Sequence, residues 1–254
     1  MPGWRRPAGG GGAPKDGLGG AAGVRASRDL WAVPHDVGRL FDSRRLSWRR
    51  LRLKSRGMPE FTWRPANDAK SEDVEAVFAA GGARRCRCQA LKVPGWIWRD
   101  TTQQERDAAL LEQAGCGTSG PTSGLVGYVD AEPAGWVAVE PRENYPRVWA
   151  RQKAWMRRDP DLEGVWSVTC FVVRKGFRRQ GLMYELAAAT VEYGRQVGAR
   201  VLEGYPTEPL PGKTVIWDEA SVGLLQVFLD AGYQVEASPT LRRRVVRNRL
   251  GASP

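Results

Sequence analysis

Histidine is almost missing from this sequence: among 254 residues there is one, His35. From Met58 onward the chain contains none. That absence excludes Ser-His-Asp and Cys-His catalysis, and histidine-ligated metal sites, from everything after residue 57. Any proton transfer in that part of the chain must therefore use Glu, Asp, Tyr, Lys, Cys or water.

Cysteine is also scarce, with four residues at positions 86, 88, 116 and 170. Such widely spaced cysteines do not resemble the disulfide framework of a small secreted domain. A zinc site would need all four thiolates in an unusual spacing, so we expect reduced thiols and no metal. We interpret Cys86 and Cys88 as packed side chains, with a position beside an acceptor substrate as the alternative.

Long apolar runs are absent too. The longest ones have the length of a strand and fall far short of the roughly 20 residues that span a bilayer. No apolar segment follows the N-terminal arginines, as a signal peptide would require. We therefore expect no membrane partner and a cytoplasmic protein.

Acidic residues are rare in the first 57 residues, which hold 13 Lys and Arg but only four Asp. This Gly- and Arg-rich segment predicts a disordered basic leader, followed by one domain over residues 58–254 with a cofactor-binding core at 124–247. The leader is an arm for nucleic acid or anionic lipid, a solvated tail, or a segment upstream of a true start at Met58. Because the remainder is nearly neutral, nucleic acid is not the expected partner.

Apolar periodicity predicts two helices, one beginning at Ser71 and one at Thr101 or Thr102 and ending at Gln113. A hairpin then joins residues 124–129 and 135–139 through a turn at 130–133. The remaining elements are a strand at 165–173, a helix at 182–197, a strand at 200–205, a helix at 219–231 and strands near 235 and 243–247. This order indicates an α/β (α+β) fold with a mixed central sheet of six to seven strands flanked by helices.

The most informative segment lies where the 165–173 strand meets the next helix. The turn between them carries four basic side chains, at Arg174, Lys175, Arg178 and Arg179. Amides that open a helix have no intrahelical partners, and the helix dipole adds positive charge there. Together with Gly181, which lets an anion approach the backbone, this pattern predicts a pyrophosphate-binding turn. A basic surface turn before an ordinary core helix is the alternative.

The residues of this junction resemble a known motif, Q/R-x-x-G-x-G/A of the GNAT N-acetyltransferases, including bacterial members. They are Arg178, Arg179, Gln180, Gly181, Leu182 and Met183, which match at the first and fourth positions, while Met183 departs from the usual Gly or Ala. The resemblance covers about residues 124–247. It implies the GNAT fold and an acyltransferase that moves acetyl from acetyl-CoA to an amine of a small molecule, peptide or protein.

The resemblance also implies how the cofactor binds. Backbone groups of Phe171, Val172 and Val173 would hold the pantetheine arm beside the strand, and the amides of residues 178–183 would hold the pyrophosphate. It further places a proton-donating tyrosine at the position of Phe228. Either Tyr205 or water replaces that tyrosine, or backbone dipoles alone stabilise the thiolate.

Two glutamates are candidate general bases for the amine, Glu203 and Glu140. We rank Glu203 first because its strand adjoins the cofactor strand in the implied fold; for each, a surface or salt-bridged carboxylate is the alternative. A non-catalytic acyl-CoA sensor is a second hypothesis, suggested by Phe228 and Met183. A nucleic-acid-binding protein that uses the basic arm is a third, and a homodimer is left open.

Overall fold

The structure, a computed structural model, describes residues 59–95, 97–147, 163–212 and 214–251. The predicted leader at residues 1–57, and with it His35, lies outside these residues. All described residues belong to one compact unit, residues 54–254.

Seven strands of the described chain form a single mixed sheet in the order β1-β2-β3-β4-β5-β7-β6. They are β1 (Phe61–Pro65), β2 (Gly124–Val129), β3 (Glu132–Pro141), β4 (Val165–Val173), β5 (Val201–Gly204), β6 (Gln234–Ala237) and β7 (Val245–Arg249). β4 and β5 pair in parallel, and the other neighbouring pairs are antiparallel. The predicted mixed sheet is confirmed.

Helices lie between the strands in the described part of the chain. They are α1 (Ser71–Phe78), α2 (Gly81–Cys86), α3 (Gln103–Ala114), α4 (Leu182–Gln196), α5 (Trp217–Ala220) and α6 (Leu225–Asp230). The capping box at Thr102 is complete, because its Oγ1 accepts from the Glu105 amide and Glu105 accepts from the Thr102 amide.

The hairpin and several element ends differ from the sequence-based prediction. The β2–β3 turn has two residues, Asp130 and Ala131, both with positive φ, so β3 already begins at Glu132. β1 was not predicted, although half-buried Phe61, Trp63 and Pro65 alternate with exposed Thr62 and Arg64 as in a strand, because the run has only five residues and ends in a proline. The predicted helix over 219–231 is two short helices, interrupted near Gly223, whose φ is +88°.

Helices cover both faces of the sheet. α4 packs on one face against apolar residues of β2, β3 and β4, among them Leu125, Val137 and Val168. α1, α2 and α3 contribute to a second core on the other face, around Trp136 and Phe78, whose rings meet edge-on at 5.5 Å. Each fully buried large side chain in these cores stabilises the fold by about 1.5–3 kcal/mol.

Two glycines determine where α4 sits. Gly127 of β2 and Gly135 of β3 lie opposite each other in the sheet. A Cβ at either position would fall within about 3 Å of Leu186, at 2.9 Å and 3.0 Å. Their missing side chains therefore allow α4 to approach the sheet closely, which fixes the start of α4 beside the end of β4.

Candidate active site

The turn between β4 and α4 contains two residues with left-handed backbone conformation. A 3-10 turn, Lys175–Phe177, follows β4, and the chain then passes through Arg179 at φ +62° and Gly181 at φ +81° into α4. Gly181 is the N-cap of α4, and no side chain caps the helix there. α4 thus begins at an exposed turn without a side-chain cap, which is the local geometry that an anion site at this helix start would need.

The four cationic side chains of this turn differ from one another in their partners and exposure. Arg174 bonds to Glu132 (3.0 Å), and Arg178 folds back so that its Nε donates to the Val173 carbonyl at 3.1 Å. Lys175 and Arg179 are exposed. Gln180 donates from Nε2 to the Gly176 carbonyl (3.0 Å), which braces the turn. The turn is consequently positive and held in shape by its own hydrogen bonds.

β4 carries a bulge before it reaches this turn. Cys170 has a φ of +48°, and the register against β3 jumps there, from Thr169 opposite Ala138 to Val172 opposite Trp136. On its other side β4 pairs with β5 only up to Val168. From Thr169 onward the two parallel strands separate and leave an open stretch of strand edge.

Part of this edge is already bonded within the protein. The Phe171 amide donates to the Ser221 carbonyl at 2.6 Å, and the Val173 carbonyl accepts from Arg178. Phe171, Val172 and Val173 do lie at the open stretch of β4, as the cofactor prediction requires. A ligand that pairs with Phe171 would have to displace Ser221.

A row of polar side chains crosses the sheet on the face opposite α4. Glu140 of β3 pairs with Ser167 of β4, Ser167 with Glu203 of β5, and Glu203 with Arg247 of β7. Residues opposite one another in a sheet point to the same face, so these four side chains form one line, here called the polar row. Strand spacing places the backbones of Glu140 and Glu203 roughly 10 Å apart.

Glu203 is completely buried within the polar row. Arg142 Nη1 donates to both its oxygens, at 3.0 and 3.1 Å, and Arg247 Nε donates to Oε2 at 2.8 Å. The Tyr205 hydroxyl donates to Oε1 (2.6 Å) and meets Ser167 Oγ at 3.0 Å. Both carboxylate oxygens are thus already engaged by cations and a phenol.

Glu140 is also buried, but its partners are different. Lys92 Nζ lies 2.5 Å from Oε1, the Tyr145 hydroxyl donates to the same oxygen at 2.7 Å, and Asn144 donates to Oε2 at 2.8 Å. Lys92 also donates to Gln113 Oε1 of α3 (2.7 Å). Glu140 therefore ends a polar network that reaches from the helical layer to the sheet.

The two tyrosines in this region are held in their neutral form. Burial, together with the charge of Glu203, raises the pKa of Tyr205 well above its usual value. Burial and the charge of Glu140 do the same to the pKa of Tyr145. Both phenols therefore act as hydrogen-bond donors to a carboxylate at neutral pH.

Phe228 is fully buried on α6, edge-on to Phe171 at 5.6 Å and to Tyr233 at 5.0 Å. It packs against Phe171 of β4 and offers no proton. Met183, the other departure from the motif, packs in part against the α4 core.

Sequence reasoning found both carboxylates but missed the side chains that surround them. These side chains come from three separate segments, with Lys92 in the first, Arg142 and Tyr145 in the second and Arg247 in the third. The pairing of opposite charges across the polar row appears only in the folded sheet. A usable signal was the Glu-Pro-Arg end of β3, where a charged residue follows a buried strand.

Across the ranges that the structure describes, no helix has the length and hydropathy needed to cross a membrane. The same residues contain no cluster of three His, Cys, Asp or Glu side chains suited to a metal ion. The cysteines that they include are free thiols.

Comparison with known proteins connects these features to a family. Residues 90–208 match the acetyltransferase (GNAT) family, a span that includes every predicted site residue. No curated protein matches the chain.

Solved structures to which the chain is similar include three at low identity. An N-acetyltransferase from Staphylococcus aureus Mu50 is 14% identical, with 76% of this chain and 99% of that one covered and a TM-score of 0.45. A GCN5-related N-acetyltransferase from Kribbella flavida is 15% identical, with 75% and 98% covered and a TM-score of 0.45. For yncA from Salmonella typhimurium, whose structure contains its cofactor acetyl-CoA, the identity is 14%, the coverage 75% and 94%, and the TM-score 0.45.

The family match contains the bulged strand, the left-handed turn and the helix that opens at Gly181, which are the elements on which the motif rests. The match to the acetyltransferase (GNAT) family thus covers residues 90–208, just under half of the chain, and the chemistry of that family is acyl transfer.

Proposed function

We propose that the protein transfers an acetyl group from acetyl-CoA to an amine of a small molecule, peptide or protein. The observation that carries this proposal is the junction after β4, where a bulged strand edge leads through a left-handed, positively charged turn into the open N-terminus of α4. That combination offers one place for an extended arm and another for a diphosphate.

The turn suits a diphosphate in shape and in charge. A Cβ built on Gly181 would meet no atom within 4 Å, so the space before the α4 amides is open. Exposed Lys175 and Arg179 add positive charge beside the amides of Gly181, Leu182 and Met183. We assign the pyrophosphate of acetyl-CoA to residues 178–183 and its pantetheine arm to the β4 edge at residues 171–173.

Acetyl-CoA supplies an activated thioester, and the protein has to orient an amine and remove its proton. Glu140 is the stronger candidate for the base, because its cationic partner is a single lysine and its other partners are neutral donors. Glu203 is held by two guanidinium groups and is better suited to fix the polar row. This reverses the order in which the sequence ranked the two carboxylates.

Tyr205 takes a positioning role in this scheme. Its raised pKa makes it a weak proton donor, while its hydroxyl connects Glu203 to Ser167. We assign protonation of the departing thiolate to water.

Two measurements test the proposal, one of acetyl-CoA binding and one of CoA release during turnover. Calorimetry should show acetyl-CoA binding in the micromolar range, about −8 kcal/mol. A thiol-detecting assay should then show CoA release that depends on one member of a panel of small-molecule and peptide amines. Failure to bind acetyl-CoA would remove the basis for the cofactor assignment.

A non-catalytic acyl-CoA-binding sensor is the second candidate. It is favoured by Phe228, which is buried where the resemblance places an acid, and by the Phe171 amide, which already bonds to Ser221. Tight binding without CoA release over the whole amine panel would select this candidate.

A further inference from the structure

The gap that opens between β4 and β5 is filled by the protein's own chain. β4 and β5 stop pairing after Val168 and Gly204. The chain after β5 pairs instead with the start of the segment that leads into α6, because the Thr207 amide donates to the Gly223 carbonyl at 2.9 Å and Thr207 forms a parallel bridge with Leu224. This pairing holds the residues just before Gly223 close to the open edge of β4.

These residues, 217–222, comprise α5 and the two residues after it and are here called the strap. The Ser221 carbonyl accepts from the Phe171 amide at 2.6 Å, which joins the strap to β4. A backbone amide carries a single proton, so a pantetheine arm that bonded to Phe171 would compete with Ser221 for it. The strap thus occupies a place that we assign to the arm of acetyl-CoA.

Side chains attach the strap to other parts of the fold. The Trp217 indole lies against Gly82 of α2, where a Cβ would fall 2.4 Å from the ring. Glu219 forms a two-pronged ion pair with Arg242, with N–O distances of 2.8 and 2.9 Å. Thr207 adds a hydrogen bond from its Oγ1 to the Glu219 carbonyl at 2.7 Å. The strap is therefore held by contacts to α2 and to the β6–β7 connection as well as by its backbone bond to β4.

These contacts are of a kind that a ligand can replace. The side chains of Arg242 and Glu219 keep 29% and 26% of their surface exposed, and ion pairs with that much solvent contribute little to stability. Ile216, just before the strap, is 58% exposed. Gly223, just after it, has a φ of +88°, a conformation from which glycine rotates with little steric hindrance. The strap can therefore leave β4 while the chain on either side stays attached.

We propose that the strap is an autoinhibitory gate, which blocks the β4 edge in its closed form and swings away when acetyl-CoA binds. This inference rests on the proposed function, since it assumes that the arm of acetyl-CoA pairs with β4. Because only the open form binds, the measured affinity is the intrinsic affinity reduced by the fraction of molecules that are open. Loosening the strap should therefore tighten acetyl-CoA binding, whereas damage to a binding site weakens it.

Gly82→Ala tests the gate without changing the strap itself. The new Cβ would overlap the Trp217 ring, so the indole has to leave its place. Calorimetry with acetyl-CoA should give a Kd at least about fivefold lower than that of the wild type. Gly95→Ala is the matched control, because its Cβ would lie 3.9 Å from the Arg147 side chain and displace nothing there. Its Kd should equal that of the wild type.

Arg242→Ala is a second and milder variant, which removes the ion pair to Glu219. It should lower the Kd for acetyl-CoA about two- to fivefold, the range that corresponds to the loss of a partly exposed ion pair. Arg249→Ala removes the more exposed pair with Glu236, away from the strap, and should leave the Kd unchanged.

Hydrogen exchange of the unmodified chain decides the matter if a variant does not fold. With saturating acetyl-CoA, the amides of residues 214–222 should exchange at least about threefold faster, while the Phe171 amide stays protected by its new partner. Micromolar binding with the same Kd in the wild type and both strap variants, or slower exchange across the strap with acetyl-CoA bound, would overturn the gate and leave the proposed function standing. No acetyl-CoA binding by the wild type or by either variant would overturn the cofactor assignment and the gate together.

Discussion

The turn that opens α4 and the polar row across the sheet contain similar numbers of charged groups in opposite environments. In the turn, the cations face solvent and their backbone is held by local hydrogen bonds. In the polar row, two carboxylates are buried and saturated by cations from other segments. Exposed charges contribute little to stability but remain available to a ligand, whereas buried paired charges are needed by the fold.

Because of this difference, we expect the turn to determine ligand binding and the polar row to determine stability and catalysis. A change in the turn should alter affinity for a diphosphate and leave the fold intact. A change in the polar row should alter folding, catalysis or both, and the two carboxylates of that row should differ in which property they affect.

The largest effect is expected for Glu140→Gln, which keeps the shape of the side chain and removes the base. The ratio kcat/KM should fall by roughly 10² to 10⁴, because general-base catalysis is lost, while acetyl-CoA affinity is retained. Steady-state kinetics and calorimetry provide the measurement. The neighbouring exposed Glu143→Gln is the control and should behave as wild type. A larger loss in Glu203→Gln than in Glu140→Gln would restore Glu203 as the base.

A slightly smaller effect, on stability, is expected for Glu203→Ala. It leaves Arg142 and Arg247 buried without the carboxylate between them, which should lower the free energy of unfolding by about 3–5 kcal/mol. Urea denaturation measures the change. Glu236→Ala, which removes a carboxylate from the more exposed pair with Arg249, should cost about 1 kcal/mol or less. If Glu203→Ala and Glu236→Ala lost equal free energy of unfolding, the buried polar row would be no more important for stability than an exposed ion pair.

Gly181→Val should weaken acetyl-CoA binding at least about tenfold, or about 1.4 kcal/mol. A β-branched residue does not adopt the φ of +81° found there without strain, so the turn must rearrange. Gly176→Val in the same turn is the matched control, because its Cβ also meets open space and its φ is not in the left-handed region. Calorimetry that gives the same affinity for both variants would remove the turn from the cofactor site.

The smallest effect is expected from removing residues 1–57. Because their Gly- and Arg-rich composition favours disorder, we expect a chain that begins at Met58 to melt at the same temperature as the full chain. Differential scanning calorimetry decides this, and a loss of several degrees would show that the leader packs on the domain.

Local chemistry made much of the fold predictable. The Thr102 capping box, the long apolar strand before Arg174 and the helix from Leu182 all rest on neighbours in sequence, and each is present. β1 was not predicted, because its alternation of apolar and polar residues spans only five positions and includes a proline, and its pairing partner β2 lies far along the chain. The break between α5 and α6 at Gly223 was not predicted. It depends on the rings of Phe228 and Phe171, which approach Gly223 so closely that they leave no room for a Cβ there.

The sequence by itself determined the strand–turn–helix junction, since the residues that create it are contiguous and their backbone preferences act locally. Only the tertiary structure decided the surroundings of Glu140 and Glu203. Strand register brings those side chains into one line across the sheet, and register is set by packing of the whole core. Which groups share a proton or a charge in this protein therefore depends on distances that no local pattern encodes.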